Sequence, residues 1–208
     1  MTPLQSVGAN DRPPSADLPS DVTDAELIAG DAATFGVLFD RHARRLHRYC
    51  AARVGPATAE DLVSEAFCLA FKQRDRYDPS HPDALPWLYG IATNLVRRRW
   101  RQESTLYRAM AKASGIRVSS DEPTQQAIDR THANGYARLI TETLAKMPRK
   151  QRDVLMLYAL ADFGYQEIAT ALSMPVGTVR STLHRARKRL QTVLPDHARP
   201  HTLGEMSR

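Results

Sequence analysis

The sequence predicts an all-α protein with two small helical domains joined by a flexible linker. Apolar residues recur at spacings of three and four along residues 24–102 and again along residues 135–194, as amphipathic helices require. Between them, residues 103–134 are polar and weakly patterned, which is typical of a linker. No stretch alternates apolar and polar residues as half-buried strands do. A chain of 208 residues is long enough for two such domains.

The charge balance favours a polyanionic partner. The chain has 29 Lys and Arg against 23 Asp and Glu, a formal net charge of +6, and basic proteins are attracted to nucleic acids and to anionic membrane surfaces. No apolar stretch approaches the length of a membrane span, and the N-terminus lacks a secretion-signal pattern. We therefore expect a cytoplasmic protein without membrane insertion. Cys50 and Cys68 fall in apolar helical patterns and are expected to be buried, reduced thiols.

The first helices follow an N-terminal tail. Residues 1–23 are rich in Pro, Ser and Asp and lack periodicity, which predicts a disordered tail. From Asp24, apolar residues keep helical spacing as far as Val54. The dipeptide Gly55-Pro56 then ends the helical pattern.

Two further helices complete the first domain. One is predicted to begin at Thr58, where Asp61 would complete a variant of the capping box. Residues 76–83 contain two prolines and no period, so they are expected to form a loop. Pro86 suits the first turn of the next helix, which spans residues 87–101.

The second domain is predicted to contain four helices. The first covers residues 139–147, and Pro148 begins the second. A turn at residues 162–164 precedes a short helix and then a longer one that Pro195 ends. Residues 195–208 are expected to be a frayed C-terminal tail.

The last two helices have the pattern of a helix-turn-helix. Ile168, Ala169 and Leu172 form the inner face of the short helix, and a connection containing Pro175 and Gly177 follows. Val179, Leu183, Ala186 and Leu190 give the longer helix a buried face, so basic and small polar residues face outward: Arg180, Ser181, His184, Arg185, Arg187 and Lys188. Such a face suits the DNA major groove. Gly177 and Thr178 at its start would let backbone amides approach phosphates. The alternative is a solvated basic helix in an ordinary bundle.

The predicted helix at residues 87–101 combines aromatic and basic residues. Leu88, Ile91 and Leu95 can pack inward. Asn94, Arg97, Arg98 and Arg101 would then line an outer face with Trp87, Tyr89 and Trp100 interleaved. Cations follow a nucleic-acid backbone and aromatic rings stack on unpaired bases, so the pattern favours single-stranded DNA. The alternative places both tryptophans in the core and leaves the arginines solvated.

The helix after Gly55-Pro56 carries an acidic and apolar pattern. Asp61 and Glu65 lie one turn apart, with Leu62 and Phe67 beside them. An acidic and apolar surface on a basic protein indicates a protein partner in addition to DNA. The alternative is that Asp61 only caps the helix and Glu65 is solvated.

Two sets of motifs resemble the extracytoplasmic-function (ECF) group of the sigma-70 family. MPRKQRDVL at 147–155, YQEIA at 165–169, MPVGTVRS at 174–181 and LHRARKRL at 183–190 resemble sigma region 4, and AEDLVSEAF at 59–67 and WLYGIATN at 87–94 resemble region 2. The resemblance implies region 2 at residues 24–102, a linker at 103–134 and region 4 at 135–194. It also implies a sigma factor that binds core RNA polymerase, recognises promoters and opens them.

The resemblance assigns roles to particular residues. It implies that region 4 reads the −35 element through Arg180, Ser181, His184 and Arg185, and holds phosphates through Gly177, Thr178, Arg187 and Lys188. It implies that region 2 captures bases of the −10 element through the residues 87–101 face, namely Trp87, Tyr89, Asn94, Arg97, Arg98, Trp100 and Arg101. It further implies that Asp61, Leu62, Ser64 and Glu65 bind core polymerase.

The resemblance also implies the partners. These are the clamp helices of the largest polymerase subunit, the flap of the second-largest subunit, and promoter DNA in duplex and single-stranded form. An anti-sigma factor is a further candidate, because many members of the family are held inactive by one. No cofactor, metal site or catalytic residue is expected. The alternatives are a stand-alone helix-turn-helix regulator and a DNA-processing enzyme such as a recombinase, for which the sequence offers no nucleophile or carboxylate cluster.

Overall fold

The computed structural model describes residues 22–113 and 135–193, and all of its regular elements in these ranges are helical. Residues 1–21 of the predicted N-terminal tail, the linker segment 114–134 and the predicted C-terminal tail lie outside the described residues, whereas Thr23, placed in the tail by the sequence, caps the first helix. In the first domain the helices are α1 (Asp24–Ala29), α2 (Ala32–Val54), α3 (Pro56–Lys72), a 3₁₀ turn (Arg74–Arg76) and α4 (Leu85–Ala113). In the second they are α5 (Gly135–Lys146), α6 (Arg149–Leu160), α7 (Tyr165–Leu172) and α8 (Val176–Gln191). The predicted all-α, two-domain architecture is confirmed.

The start of α3 differs from the prediction. The helix begins at Pro56, and the connection from α2 is made by Gly55, whose φ of 82° is accessible to glycine at little cost. Thr58 therefore lies inside the helix, and the predicted capping box with Asp61 is wrong. The physical reason is that proline, whose missing N–H costs nothing in the first turn, already supplies a helix start two residues earlier.

The core of the first domain is formed by α2, α3 and α4. Leu38, Leu46 and Leu88 are fully buried, and Phe35 of α2 contacts Phe71 of α3 edge to face at 5.1 Å. Cys50 is buried as predicted, and burial raises the pKa of its thiol to about 11. The predicted burial of Cys68 is wrong, because its position on α3 faces outward.

Helix α4 is longer than predicted. It continues through Ala113, so that the first part of the expected linker is helical. Residues 103–113 contain no proline or glycine and several good helix formers, and Arg99 and Glu103 form an i,i+4 ion pair at 2.8 Å. The sequence thus offers nothing that would end the helix at residue 102.

The second domain buries most of the apolar positions that the sequence pattern singled out, whereas Leu172 and Leu190 are half-buried. Leu157, Ile168, Val179 and Leu183 are at most 1% exposed and join α6, α7 and α8. Ser173 ends α7 in the left-handed conformation, with φ of 51°, and this residue turns the chain into α8. The predicted helix-turn-helix is therefore present.

The two domains pack directly against each other. Helix α4 lies against α7, and α2 contacts α6. The rings of Tyr89 and Phe163 are 4.9 Å apart across this boundary. Among the described helices, none combines the length and the apolarity that crossing a bilayer demands.

A buried carboxylate joins α1 to the rest of the first domain. Asp24 Oδ1 accepts a hydrogen bond from Arg41 at 2.7 Å, and Oδ2 lies 2.7 Å from His42 Nε2 and 3.0 Å from the amide of Ala84. Asp24, His42 and Asp83 are close enough together to suggest metal ligands. However, both oxygens of Asp24 are already engaged, and Asp83 Oδ1 accepts from the Leu85 amide, so hydrogen bonding within the protein accounts for this group.

This carboxylate predicts an acid-sensitive fold. Burial opposes ionisation of Asp24, but the contacts with His42, Ala84 and Arg41 outweigh it and lower its pKa below the ordinary value of 3.8. A lowered folded-state pKa stabilises the protein above pH 3.8, and this contribution is lost as the pH falls through the folded-state value. Asp24→Asn is expected to reduce the free energy of unfolding by about 1–3 kcal/mol at neutral pH and to flatten its decline below about pH 4, as measured by urea denaturation from pH 7 down to about pH 2. An unchanged acid profile would contradict this.

Candidate nucleic-acid interface

Helix α8 presents its polar face to solvent. Val179, Leu183 and Ala186 are at most 1% exposed and fix the orientation of the helix. The predicted outward residues Arg180, Ser181, His184, Arg185 and Lys188 are all exposed, and Arg187 is half-buried. The structure therefore confirms the predicted orientation of α8. A face of this width and charge fits the major groove of duplex DNA.

Two arginines of α8 lie on aromatic rings. The guanidinium of Arg187 is 4.4 Å from the ring centroid of Tyr158, and that of Arg180 is 5.5 Å from the centroid of Tyr165. Such stacking restrains the side chains before DNA binds. Arg187 is half-buried beside the Tyr158 ring, whereas Arg180 remains exposed.

The N-terminus of α8 is open at the surface. Gly177 and Thr178 are exposed, and a β-carbon at Gly177 would meet no atom within 4 Å. The Thr178 amide already donates to the carbonyl of Pro175 at 2.9 Å. The Thr178 amide is therefore already engaged within the turn that precedes α8.

The outer face of α4 agrees only in part with the prediction. Asn94, Arg98 and Arg101 are exposed, and Trp87 is half-buried with its ring 5.0 Å from that of Tyr77. The surface that a single strand could reach in this conformation is therefore smaller than predicted.

The predicted placement of Tyr89 on the outer face is wrong in this conformation. Its ring is fully buried between Tyr49, at 5.0 Å, and Phe163, at 4.9 Å. Its hydroxyl donates to the carbonyl of Arg45 at 3.2 Å, and burial raises its pKa to about 12. The cause of the discrepancy is that α2 on one side and the second domain on the other both cover this turn of α4.

Arg97 and Trp100 also face the second domain. Arg97 Nε donates to Asp153 Oδ2 at 2.7 Å. The ring of Trp100 is half-buried, with the guanidinium groups of Arg53 and Arg152 at 4.8 and 4.6 Å from its centroid. Trp100 is thus neither a core residue of one domain nor a surface residue, because it lies at the domain boundary.

Two buried charged residues at this boundary were missed by the sequence analysis. Arg53 donates to Asp153 and to the hydroxyl of Tyr49, whose oxygen is also 2.8 Å from that of Thr93. Burial alone would lower the pKa of Arg53, but Tyr49 and Asp153 outweigh it and raise the pKa, so the guanidinium remains charged. The sequence signal that could have revealed this pair is Arg53 itself, a basic residue placed one turn after Tyr49 in an otherwise apolar helical pattern.

The predicted polymerase-binding residues lie on α3. Asp61 and Ser64 are exposed, and Glu65 is half-buried and paired with Arg98 of α4. A surface cleft of about 140 Å³ lies between the exposed sides of these two helices. The apolar part of the predicted surface is wrong: Leu62 is only 6% exposed because it packs into the core. The exposed surface here is acidic and polar.

The fold and these surfaces define a helix-turn-helix protein with a second basic and aromatic helix in a separate domain. Residues 38–105 match the family described as Sigma-70 region 2, and residues 137–190 match Sigma-70, region 4. ECF RNA polymerase sigma factor SigD of Mycobacterium tuberculosis is 31% identical over 177 residues, which cover 82% of each chain. SigW of Bacillus subtilis, also an ECF sigma factor, is 29% identical over 179 residues, covering 82% of this chain and 94% of SigW. The chain belongs to the ECF group of RNA polymerase sigma factors.

A solved structure shares the fold. In the complex of the sigma factor RpoE with the anti-sigma factor NepR from Bartonella quintana, RpoE matches 76% of this chain and 95% of its own, with 22% identity and a TM-score of 0.55. Family membership confirms the predicted sigma factor: the chain is an initiation factor that directs RNA polymerase to promoters, and not an enzyme. A stand-alone regulator is less well supported, because it leaves region 2 unexplained.

Proposed function

We propose that α8 reads the −35 element from the major groove. The observation that supports this proposal is the orientation of α8: Val179, Leu183 and Ala186 are buried, and the opposite, polar face is exposed. Arg180, Ser181, His184 and Arg185 project where base edges would lie, and Arg187 and Lys188 flank them as phosphate contacts, with Gly177 and Thr178 at the helix N-terminus. Arginine pairs with guanine through two hydrogen bonds, which makes Arg180 and Arg185 the main candidates for base selection.

In region 2, the proposed ligand of α4 is the melted −10 strand. Exposed Asn94, Arg98 and Arg101 form the accessible part of this face, and Trp87 lies at its N-terminal end. Tyr89, Arg97 and Trp100 lie on the same helix but under the second domain, so their part in this role requires the domains to separate. Stacking of unpaired bases on such aromatic rings contributes about 1–3 kcal/mol per base.

The proposed polymerase contact is the acidic face of α3, with the clamp helices of the largest subunit as its target. Asp61 and Ser64 are exposed there, and Glu65 is half-buried at the edge of the cleft. Leu62 packs into the core beneath this face of α3. Region 4 is proposed to meet the flap of the second-largest subunit. An anti-sigma factor is a further proposed partner, since the similar fold of RpoE is found with NepR.

Run-off transcription with core RNA polymerase, followed by mapping of start sites, tests the assignment of the DNA elements. The expected result is initiation at a fixed distance from a shared −35 and −10 sequence, and only with the chain present. Specific binding of the isolated chain to the same promoters without core polymerase would favour the stand-alone regulator instead.

The double variant Asp61→Ala with Glu65→Ala is expected to weaken binding to core polymerase by roughly tenfold or more, because rim charges set the rate and salt dependence of association. Binding is measured by fluorescence anisotropy of the labelled chain titrated with core enzyme. Asp75→Ala is the control, since Asp75 is an exposed carboxylate outside α3, in the 3₁₀ turn Arg74–Arg76. Equal affinities for wild type and double variant would remove these carboxylates from the interface.

A further inference from the structure

Helix α2 carries a group of arginines that no part of the proposed function uses. The helix contains five arginines and one acidic residue, Asp40. Arg44, Arg45 and Arg48 are all exposed, whereas Leu46, on the other side of the helix, is fully buried. Spacings of three and four residues place these three side chains on one side of α2, along about 6 Å of its axis. They are called the α2 arginine row below.

The other two arginines of α2 are paired within the protein, and the α2 arginine row is not. Arg41 forms an ion pair with Asp24 at 2.7 Å, and Arg53 forms one with Asp153. Within the part of the chain that the structure describes, no member of the row has a carboxylate partner. Like charges three and four residues apart also destabilise a helix. Cations that weaken their own helix, and that lack a counter-ion among the described residues, indicate an anionic partner.

The α2 arginine row adjoins a residue of α4 that was assigned to the −10 strand. The hydroxyl of Tyr89 donates to the backbone carbonyl of Arg45 at 3.2 Å. Burial raises the pKa of Tyr89 to about 12, and the positive charges of Arg45 and Arg48 oppose this rise, so both guanidinium groups lie near the phenol. A strand with a base stacked on Tyr89 would therefore run beside the row.

We propose that the α2 arginine row binds phosphates of the single-stranded promoter DNA where this strand leaves α4. The inference rests on the proposed −10 role of α4 and adds a second helix, whose contacts carry no base preference. A nucleic-acid backbone has one negative charge per nucleotide, so a row of guanidinium groups can bind consecutive phosphates through charge-assisted hydrogen bonds. Because Phe163 covers Tyr89 in this conformation, a strand contacts Tyr89 and the row together only when the domains are separate.

The experiment compares holoenzyme assembled from three full chains. These are wild type, a neutral variant (Arg44→Gln, Arg45→Gln and Arg48→Gln) and a charge-retaining variant (Arg44→Lys, Arg45→Lys and Arg48→Lys). The probe is a fluorescein-labelled single strand that contains either the mapped −10 element alone or the element flanked by thymidines on both sides. We expect the neutral variant to bind the flanked strand roughly tenfold more weakly, with about two fewer counterions released, and to bind the bare element normally. The charge-retaining variant should bind both strands as wild type does.

Three results would overturn the inference. One is equal affinity of wild type and the neutral variant for the flanked strand. Another is weaker binding of core polymerase by the neutral variant with unchanged binding of DNA, which would assign the row to an acidic protein surface. The third is a lower urea midpoint for the free neutral variant, because loss of like charges should leave the midpoint unchanged or raise it.

The variant Arg101→Ala separates failure of this inference from failure of the proposed function. Arg101 is exposed on α4, outside the α2 arginine row. If Arg101→Ala weakens binding of the bare element while the neutral variant binds the flanked strand normally, only the contact with α2 fails. If neither variant changes the affinity for either strand, the proposed −10 role of α4 fails as well.

Discussion

Replacing Asp153 with alanine is expected to destabilise the chain by about 3–5 kcal/mol, because the change leaves a buried guanidinium without its counter-ion. Arg53 donates to Asp153, and its side chain is 1% exposed. The protein can lower this cost by letting the domains part, since water then solvates Arg53. Urea denaturation followed by tryptophan fluorescence should therefore show a lower midpoint or a split into two transitions, and Trp100 beside Arg53 makes the signal sensitive to the boundary.

Two further variants sharpen this expectation. Asp75→Ala removes an exposed carboxylate elsewhere and should change stability by no more than about 0.5 kcal/mol. The pair Arg53→Met with Asp153→Leu removes both buried charges and should recover most of the loss, as apolar replacement of whole ion pairs often does. An Asp153→Ala chain with the wild-type midpoint would mean that the pair contributes nothing to the contact between domains.

Arg180→Ala and Arg185→Ala are each expected to cost about 1–3 kcal/mol of discrimination between −35 sequences. Both side chains are exposed on the outer face of α8, and arginine can pair with guanine through two hydrogen bonds. The measurement is selection of duplexes from a library randomised over the −35 element, with holoenzyme assembled from each variant. Each arginine variant should lose its preference for a particular base at one position of the −35 element.

Lys188→Ala is the companion variant for this test. A phosphate contact carries no sequence information, so binding should weaken about equally for all sequences. The number of counterions released on binding, read from the salt dependence of the affinity, should fall by about one. Unchanged sequence preference in both arginine variants would refute base reading by α8. A narrowed preference in Lys188→Ala would contradict its role as a phosphate contact.

The helix-turn-helix could be predicted from sequence because its determinants are local. The spacing of Val179, Leu183 and Ala186 alone fixes which side of α8 is buried, and the structure agrees. The predicted start of α3 at Thr58 was wrong for a different local reason. Two helix-start signals, Pro56 and Thr58, lie two residues apart, and the helix begins at Pro56.

The errors on α4 have a non-local cause. Tyr89 keeps helical spacing with the buried Ala92 and Val96, and the rings that cover it, those of Tyr49 in α2 and Phe163 in the second domain, come from distant parts of the chain. Likewise, Arg53 and Asp153 are 100 residues apart in sequence, and no pattern within either helix reveals the other. The sequence pattern could identify each helix face but not which of them meet across the domain boundary.

The ion pair between Glu65 and Arg98 links two surfaces that are proposed to serve different partners. Glu65 belongs to α3, which is proposed to face polymerase, and Arg98 belongs to α4, which is proposed to face DNA. A polymerase group that engages Glu65 would release Arg98 toward a phosphate, and a phosphate that engages Arg98 would release Glu65 toward polymerase. Thermodynamic reciprocity requires that each ligand then favour the other by the same factor. Because both side chains are substantially exposed, this coupling is limited to about 1 kcal/mol. Binding of polymerase at Glu65 would therefore only modestly favour binding of a phosphate at Arg98, and the reverse.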